Sequence, residues 1–230
     1  MTIQAIAFDA YGTLLDVHSI AVLAERLYPG QGAALSTLWR AKQIEYSQLR
    51  TLCAMYKPFW EVTQDALVFS CRRLGLDLSV EATNALMGQY ARLPAFAEAL
   101  PVLRELRARG IKTAILSNGN PQMLDAALKA SELEDCFHHV LSVDGVKKFK
   151  TAPEAYQLAP DVFGLSAKNI LFVSGNGWDV SGAAWFGYTT FWVNRAGLPF
   201  EELGVTPHGS GADLNGVLDF VRADSSAVPA

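Results

Sequence analysis

The sequence predicts an α/β protein with a doubly wound parallel sheet, a Rossmann-like core, and an inserted helical domain. Short apolar runs alternate with helical segments from about residue 97 onward. A further apolar run, residues 3–8, stands near the N-terminus and ends in Asp9. Between them, residues 17–94 are rich in Leu, Ala, Gln, Arg and Glu at helical spacing. Alternating strands and helices are typical of a parallel sheet with helices on both faces.

The elements of the sheet are assigned in chain order. Pro121 stands at the start of a helical segment, where its missing N–H is tolerated. Thr151 and Glu154 have the spacing of a capping box, which predicts that a helix begins at Thr151. The predicted strands are 3–8, 111–117, 138–143, 169–174 and 188–194, and the predicted helices are 121–131, 151–164 and 179–187.

The inserted stretch is predicted to be mainly helical, and residues 35–56 have the pattern of one long helix. We therefore expect a core domain formed by residues 1–16 and 95–230 and a helical cap domain formed by residues 17–94. The alternative is a single layer of strands and unusually long helices, which the scarcity of strand signals in this stretch disfavours.

Composition excludes several classes of protein. Half of the 230 residues are hydrophobic and the net charge is −4, which argues against a nucleic-acid partner. Three cysteines without a CxxC spacing predict neither a disulfide framework nor a zinc site. No apolar stretch is long enough for a bilayer and no secretory leader precedes the first strand, so no membrane partner and a cytoplasmic location are expected.

Polar residues follow four of the predicted strands. Asp9 follows the first strand, Ser117 and Asn118 follow the second, and Lys150 stands just before a helix. The segment SGNGWD, residues 174–179, follows the fourth strand along the chain. Each alone is an ordinary turn, cap or surface residue. Together they predict a ligand site, because the carboxyl ends of parallel strands meet at one edge.

These residues lie in motifs that resemble the haloacid dehalogenase superfamily, and within it the L-2-haloacid dehalogenases. The similar segments cover nearly the whole chain in the family's order. D-x-x-G-T alone indicates only the superfamily, whereas its combination with LWR, SNGN and SxNxWD is more specific. The segments are FDAYGTLLDVHS, LWRAKQIEYS, AILSNGNP, LSVDGVKKFK, ILFVSGNGWDVSGA and FGYTTFWVNRAGLP.

Two departures from the phosphatases of this superfamily separate the alternatives. Those phosphatases have a general acid two residues after the nucleophilic Asp, where this chain has Tyr11. They also have an Asp that binds Mg²⁺ where this chain has Gly175. Magnesium requires oxygen ligands, and glycine supplies no carboxylate. A halide leaving group needs no proton, so the resemblance implies dehalogenation without metal or cofactor.

The resemblance implies that Asp9 attacks C2 of a short L-2-haloalkanoic acid, expels halide and forms an ester. Water then opens this ester at the Asp9 carboxyl carbon and releases a D-2-hydroxy acid. Lys150 is expected to keep Asp9 ionised, and Asp179 is expected to pair with Lys150 and act on the water. For Asp179, capping the next helix is compatible with that role.

The other expected site residues bind the substrate or support the nucleophile. Arg40 is expected to receive the halide beside Asn118, although an arginine on a long helix is most often a surface ion-pair partner. Ala41 stands where the family has Gln, which predicts extra room for the substrate. The substrate carboxylate is assigned to Thr13, Ser117 and the backbone N–H groups of Asn118 and Gly119, the supporting network to Ser174, Asn176 and Tyr156, and the pocket walls to Tyr11, Ile44, Phe59 and Trp178.

Two alternatives remain at this point: a phosphatase or phosphonatase of the same fold, and a catalytically silent binding module. The expected partners are a 2-haloacid, a halide and a second copy of the chain in a homodimer.

Overall fold

The computed structural model describes residues 3–226, and its centre is a six-stranded parallel sheet in the order β3-β2-β1-β4-β5-β6. The predicted class is confirmed. The strands are β1 Ala5–Phe8, β2 Lys112–Ser117, β3 His139–Ser142, β4 Ile170–Ser174, β5 Thr189–Val193 and β6 Gly209–Gly211.

Both faces of the sheet are covered by helices. Ile6 and Phe8 of β1 belong to one apolar cluster, whereas Ala5 and Ala7 belong to another, because successive side chains of a strand point to opposite faces. The first face packs on α5, α6 and α9, and the second face packs on α7 and α8. These helices are α5 Ala99–Ala108, α6 Pro121–Ala130, α7 Pro153–Phe163, α8 Gly177–Phe186 and α9 Asn215–Ser226.

Four helices lie between β1 and α5, in the stretch predicted to be helical, and α2 packs against both α1 and α3. The long helix α2 was predicted to reach residue 56, but it ends at Leu52. Ala54 has a left-handed backbone with a φ of 55°, which a continuing helix does not allow. The four helices are α1 Ile20–Leu27, α2 Gly32–Leu52, α3 Phe59–Leu74 and α4 Val80–Tyr90. None of the helices within residues 3–226 has the length and apolar character that crossing a membrane requires.

The chain leaves the sheet and returns to it along two paired segments. The Asp16 N–H donates to the Pro94 carbonyl at 2.8 Å, and the Phe96 N–H donates to the Leu14 carbonyl at 2.9 Å. This pairing favours the predicted domain boundaries at residues 16 and 95, which stay a prediction.

The prediction of a capping box that begins at Thr151 is wrong. Helix α7 begins at Pro153, and Ala152 in the cap position has an extended backbone. A proline at the first helical position restricts the residue before it to that region. Glu154 instead forms an ion pair with Lys148.

Candidate active site

The carboxyl edge of the sheet brings the predicted polar residues together. Phe8 of β1 lies between Ile115 of β2 and Val173 of β4 in register. The next residues along these three strands therefore reach the same edge, which places Asp9 between the Ser117 and Ser174 strand ends. The sheet topology thus brings residues more than a hundred positions apart into one site.

Asp9 is held by donors on both carboxylate oxygens. Its Oδ1 lies 3.1 Å from Lys150 Nζ. Its Oδ2 accepts hydrogen bonds from Thr13 Oγ1 at 2.8 Å and from Asn176 Nδ2 at 2.9 Å. Charge-assisted bonds of this kind are stronger than neutral ones and fix the direction of the carboxylate. Asp9 is therefore a preorganised carboxylate with 6% of its surface exposed.

Lys150 is buried between two carboxylates. Its Nζ lies 2.9 Å from Asp179 Oδ2, in addition to the contact with Asp9, and it sits 4.9 Å from the centre of the Phe172 ring. Burial alone would lower the pKa of Lys150, but the charges of Asp179 and Asp9 outweigh it, so this pKa is raised. The side chain is consequently a permanent cation in the middle of the site.

Asp179 is fully buried on the first turn of α8. It accepts hydrogen bonds from Tyr156 Oη at 2.8 Å and from Ser174 Oγ at 3.1 Å, besides its contact with Lys150. Burial raises the pKa of Asp179 to about 6, with a further rise from Asp9, while the Lys150 charge opposes the shift. Asp179 is therefore the carboxylate of this site whose charge changes just below neutral pH.

Thr13 belongs to the support of Asp9 and does not line the cavity. Its Oγ1 accepts a hydrogen bond from the Gly175 N–H at 2.8 Å and donates one to Asp9 Oδ2 at 2.8 Å. The expected contact of Thr13 with the substrate is thus replaced by a bond to Asp9. Gly175 is required here by close approach, because a Cβ at this position would lie 2.4 Å from the Gly12 carbonyl oxygen.

A small cavity of about 10 Å³ lies between the sheet edge and the inserted helices. This volume is room for roughly one water molecule, so a larger ligand requires the walls to separate. The four predicted wall residues line it, and so do Arg40, Ser117 and Asn118, whereas Thr13 and Gly119, also predicted to bind the substrate carboxylate, do not. The lining residues are Asp9, Tyr11, Arg40, Ile44, Ser47, Phe59, Ser117, Asn118 and Trp178.

Ala41 is exposed and lies outside this lining. The expectation that Ala41 enlarges the substrate pocket is therefore wrong.

The hydroxyl groups of Ser117 and Tyr11 line the cavity, and they differ in their hydrogen-bond partners. Ser117 Oγ accepts the Gly119 N–H at 3.1 Å, and the Asn118 side chain accepts the Lys150 N–H at 2.9 Å. The Tyr11 hydroxyl is buried and makes no hydrogen bond to any residue within 3–226. Burial raises the pKa of Tyr11, so this group stays a phenol and can only act as a neutral donor or acceptor.

Arg40 reaches from α2 to the sheet edge. Its Nη2 donates to the Tyr11 carbonyl at 3.1 Å and to Asn176 Oδ1 at 3.3 Å. Its Nη1 donates to Gln43 Oε1 at 2.7 Å. The structure therefore places Arg40 in the site and not on the surface, where composition alone would have put it.

Sequence reasoning missed three residues around Arg40. Gln43 and Tyr90 contact its guanidinium, and Ser47 lines the cavity. Arg40, Ile44 and Ser47 are spaced i, i+4 and i+7, so the helical period could have identified Ser47. Tyr90 lies fifty residues away, and no local pattern indicates its contact.

The residues at this edge do not fit the Mg²⁺ site of the related phosphatases. Gly175 offers no carboxylate, and Lys150 occupies the space between the two carboxylates that are present. Within the described residues, no group of three or more His, Cys, Asp or Glu side chains is arranged to hold a metal ion.

Comparison with known proteins agrees with this geometry. A family model of haloacid dehalogenase-like hydrolases matches residues 3–187. An (S)-2-haloacid dehalogenase of Pseudomonas sp. strain YL is 48% identical over 217 residues, which is 94% of each chain. A solved L-2-haloacid dehalogenase shares 54% identity with a TM-score of 0.95, over 96% of this chain and 100% of its own. Another, from Xanthobacter autotrophicus with chloropropionic acid covalently bound, shares 37% identity with a TM-score of 0.89, over 96% of this chain and 99% of its own.

A parallel sheet with a buried carboxylate after an inner strand, matched by that model over most of its length, makes this chain a haloacid dehalogenase-like hydrolase. The sequence identities to the enzymes just described are 37% to 54% and extend over nearly the whole chain, so the chain is not a distant member of that class. The protein belongs to the (S)-2-haloacid dehalogenases, as the motif resemblance implied.

Proposed function

We propose that the protein hydrolyses short L-2-haloalkanoic acids to D-2-hydroxy acids with inversion at C2, through an ester on Asp9. The observation that carries this proposal is the environment of the Asp9 carboxylate. It lines the cavity, three donors fix both of its oxygens, and Tyr11 stands where a phosphatase has its general acid. A nucleophile without a proton donor suits a leaving group that departs as an anion.

In the first step, one Asp9 oxygen forms a bond to C2 while the carbon–halogen bond breaks and the halide leaves with the electron pair. Because attack is in line, the halide departs on the side opposite Asp9, and Arg40 supplies N–H donors to the developing anion. The substrate carboxylate is assigned to Ser117 and the backbone near Asn118. The aromatic and aliphatic walls exclude bulk water, which leaves Asp9 poorly hydrated and reactive.

In the second step, water attacks the Asp9 carboxyl carbon, and the C2–O bond is retained. Asp179 accepts the proton of the water, and Lys150 keeps Asp179 ionised and in place until then. Opening of the ester at the carboxyl carbon expels the 2-hydroxy acid, whose oxygen takes the second proton of the water. Asp9 is restored as a carboxylate with one oxygen from water, and Asp179 then releases the first proton to solvent. Since C2 is inverted once and then left untouched, overall inversion follows.

Chloride release from L-2-chloropropionate, measured in a pH-stat with and without EDTA, tests the proposal. We expect equal release in both, with D-lactate as the product by chiral chromatography. Turnover of p-nitrophenyl phosphate that depends on Mg²⁺ would support the phosphatase alternative. Absence of both reactions would support a silent binding module.

The acid limb of kcat/KM depends on Asp179 in this scheme. Activity should fall as the pH drops through about 6, because protonated Asp179 no longer holds Lys150 or accepts a proton. Tyr156→Phe removes a donor to the carboxylate, which raises the pKa of Asp179 further. The midpoint of the acid limb should therefore move up by ~1 pH unit, the order expected for one charge-assisted hydrogen bond.

Tyr188→Phe is the matched control for this pH profile. It removes another buried hydroxyl, which bonds to the Tyr156 carbonyl and makes no hydrogen bond to Asp179. The profile of this control should stay at the wild-type position. An unchanged acid limb in Tyr156→Phe would contradict the role given to Asp179.

A homodimer is the expected assembly, formed through apolar faces of the inserted helices. Leu49 and Leu52 on α2 and Met55 after it are exposed, which supports this face as the contact. Light scattering on the wild type and on Leu52→Glu would give a dimer and a monomer, respectively. The cytoplasmic location stays a prediction from the sequence.

A further inference from the structure

Gln43 is a fully buried polar side chain one turn away from Arg40 on α2. Buried amides require partners for both ends, because an unsatisfied one costs free energy. Gln43 lies outside the cavity lining and makes no direct contact with Asp9. Its hydrogen bonds therefore indicate what it does.

The direction of these hydrogen bonds is fixed by a series of hydrogen bonds that begins at Thr63 on α3. Thr63 Oγ1 donates its single proton to the Phe59 carbonyl at 2.7 Å, so it can only accept from Gln43 Nε2, which lies 2.7 Å away. The amide oxygen of Gln43 must then point the other way. It accepts from Arg40 Nη1 at 2.7 Å and from the Tyr90 hydroxyl at 2.9 Å.

Burial raises the pKa of Tyr90, so its hydroxyl remains a donor toward the same oxygen. The Trp39 indole N–H donates to the Thr63 carbonyl at 2.7 Å, which ties α2 to α3 at the same level. The amide of Gln43 thus cannot turn over without breaking several buried bonds. It presents a fixed acceptor to the guanidinium of Arg40.

Arg40 has weaker contacts on its other side. Its Nη2 bonds to Tyr11 and Asn176 on the sheet edge are longer, at 3.1 and 3.3 Å. Tyr11 belongs to the opposite wall of the cavity, and Asn176 lies next to it at the sheet edge; this side must move away from α2 for a larger ligand to enter. Gln43 lies on the same helix as Arg40 and remains with it when the walls separate.

We propose that Gln43 is the positioning residue that holds Arg40 in the direction of the departing halide. This inference rests on the proposed function, in which Arg40 receives that halide. Gln43 holds Nη1 of the Arg40 guanidinium. Nη2 can then exchange its acceptors at the sheet edge for the departing halide. A flexible arginine without this acceptor would spread over several rotamers and lose alignment at the moment of bond breaking.

The test compares leaving groups in single-turnover halide release. Chloride is a poorer leaving group than bromide, so loss of halide stabilisation slows L-2-chloropropionate more than L-2-bromopropionate. Gln43→Met keeps the length and apolar volume but removes the acceptor. We expect the bromide-to-chloride rate ratio to rise by ~5-fold or more, since a misplaced donor costs up to about 10²-fold in rate.

Four further variants make the result specific. Arg40→Lys should raise the same ratio. Ser70→Ala should leave it unchanged, because Ser70 is buried on α3 and its hydroxyl, among residues 3–226, donates to the Ala66 carbonyl and not to the Arg40 network. Gln43→Glu, which retains an acceptor for Arg40, should raise the ratio less than Gln43→Met. If Gln43→Met does not fold by circular dichroism, Thr63→Val, which frees the amide to turn, should raise the ratio instead.

The outcomes distinguish the role of Gln43 from the role of Arg40. A wild-type ratio in Gln43→Met, with a raised ratio in Arg40→Lys, overturns the role of Gln43 alone. A wild-type ratio in Arg40→Lys overturns the halide role of Arg40 and this inference with it. Raised ratios in both, with an unchanged Ser70→Ala, support the proposal.

Discussion

Asp9→Asn is expected to abolish dehalogenation while the protein stays folded. The amide has nearly the same shape as the carboxylate and its oxygen can still accept from Lys150, so the protein should fold. Its NH2 group faces the donors Thr13 and Asn176, so the melting temperature should be lower than that of the parent. An amide is not a nucleophile toward C2, so the rate should fall by roughly 10⁴-fold or more, the order seen when a covalent nucleophile is removed. Chloride release from L-2-chloropropionate measures this loss.

A labelling experiment on the wild type shows whether Asp9 carries the ester. With enzyme in excess over substrate in oxygen-18 water, the first turnover should place the label in the peptide that contains Asp9. The 2-hydroxy acid of that turnover should carry the unlabelled oxygen. Label found first in the hydroxy acid would mean that water attacks C2 directly, and the assignment of Asp9 would fail.

Lys150→Met should have the second largest effect, on both activity and stability. It leaves Asp9 and Asp179 facing each other in a buried site without the cation between them. Removal of one member of a buried ion pair typically costs about 3 to 5 kcal/mol in the free energy of unfolding. Asp9 would also lose the cation that holds its Oδ1, so the rate at neutral pH should be lost.

The double variant Lys150→Met with Asp179→Asn is the matched control. It removes the second charge together with the first, so a large part of the lost stability should return in urea unfolding. Activity should stay absent, because the cation next to Asp9 is still missing. If the single variant is as stable as the wild type, the cluster does not depend on Lys150 in the way its contacts indicate.

The sequence was informative about the sheet and its edge for a physical reason. Buried parallel strands are short apolar runs, and the residue that follows each run has to lie at the ligand-binding edge. Asp9, Ser117 and Ser174 could therefore be placed before the structure was known. The helical insertion was equally visible, because its residues have strong helical periodicity.

Other features depend on contacts that a single sequence does not display. The three-residue strand β6 is Gly-Ser-Gly, which has little strand propensity and pairs only because β5 offers a free edge. Helix α9 follows it, and the pattern predicts no element beyond residue 194. The hydrogen bonds from Gln43 to Thr63 and Tyr90 likewise join separate helices, and their partners are set by packing.

The contact between Gly175 and the Gly12 carbonyl has an evolutionary consequence. A side chain at residue 175 cannot be accommodated while the loop after Asp9 keeps its path, because the obstacle is backbone. A mutation to aspartate would restore the metal ligand of the phosphatases only if the loop moved at the same time. Tyr11 lies on that loop, and the general acid of the phosphatases would have to replace it as well. A descendant of this enzyme is therefore poorly placed to become a phosphatase by successive single substitutions.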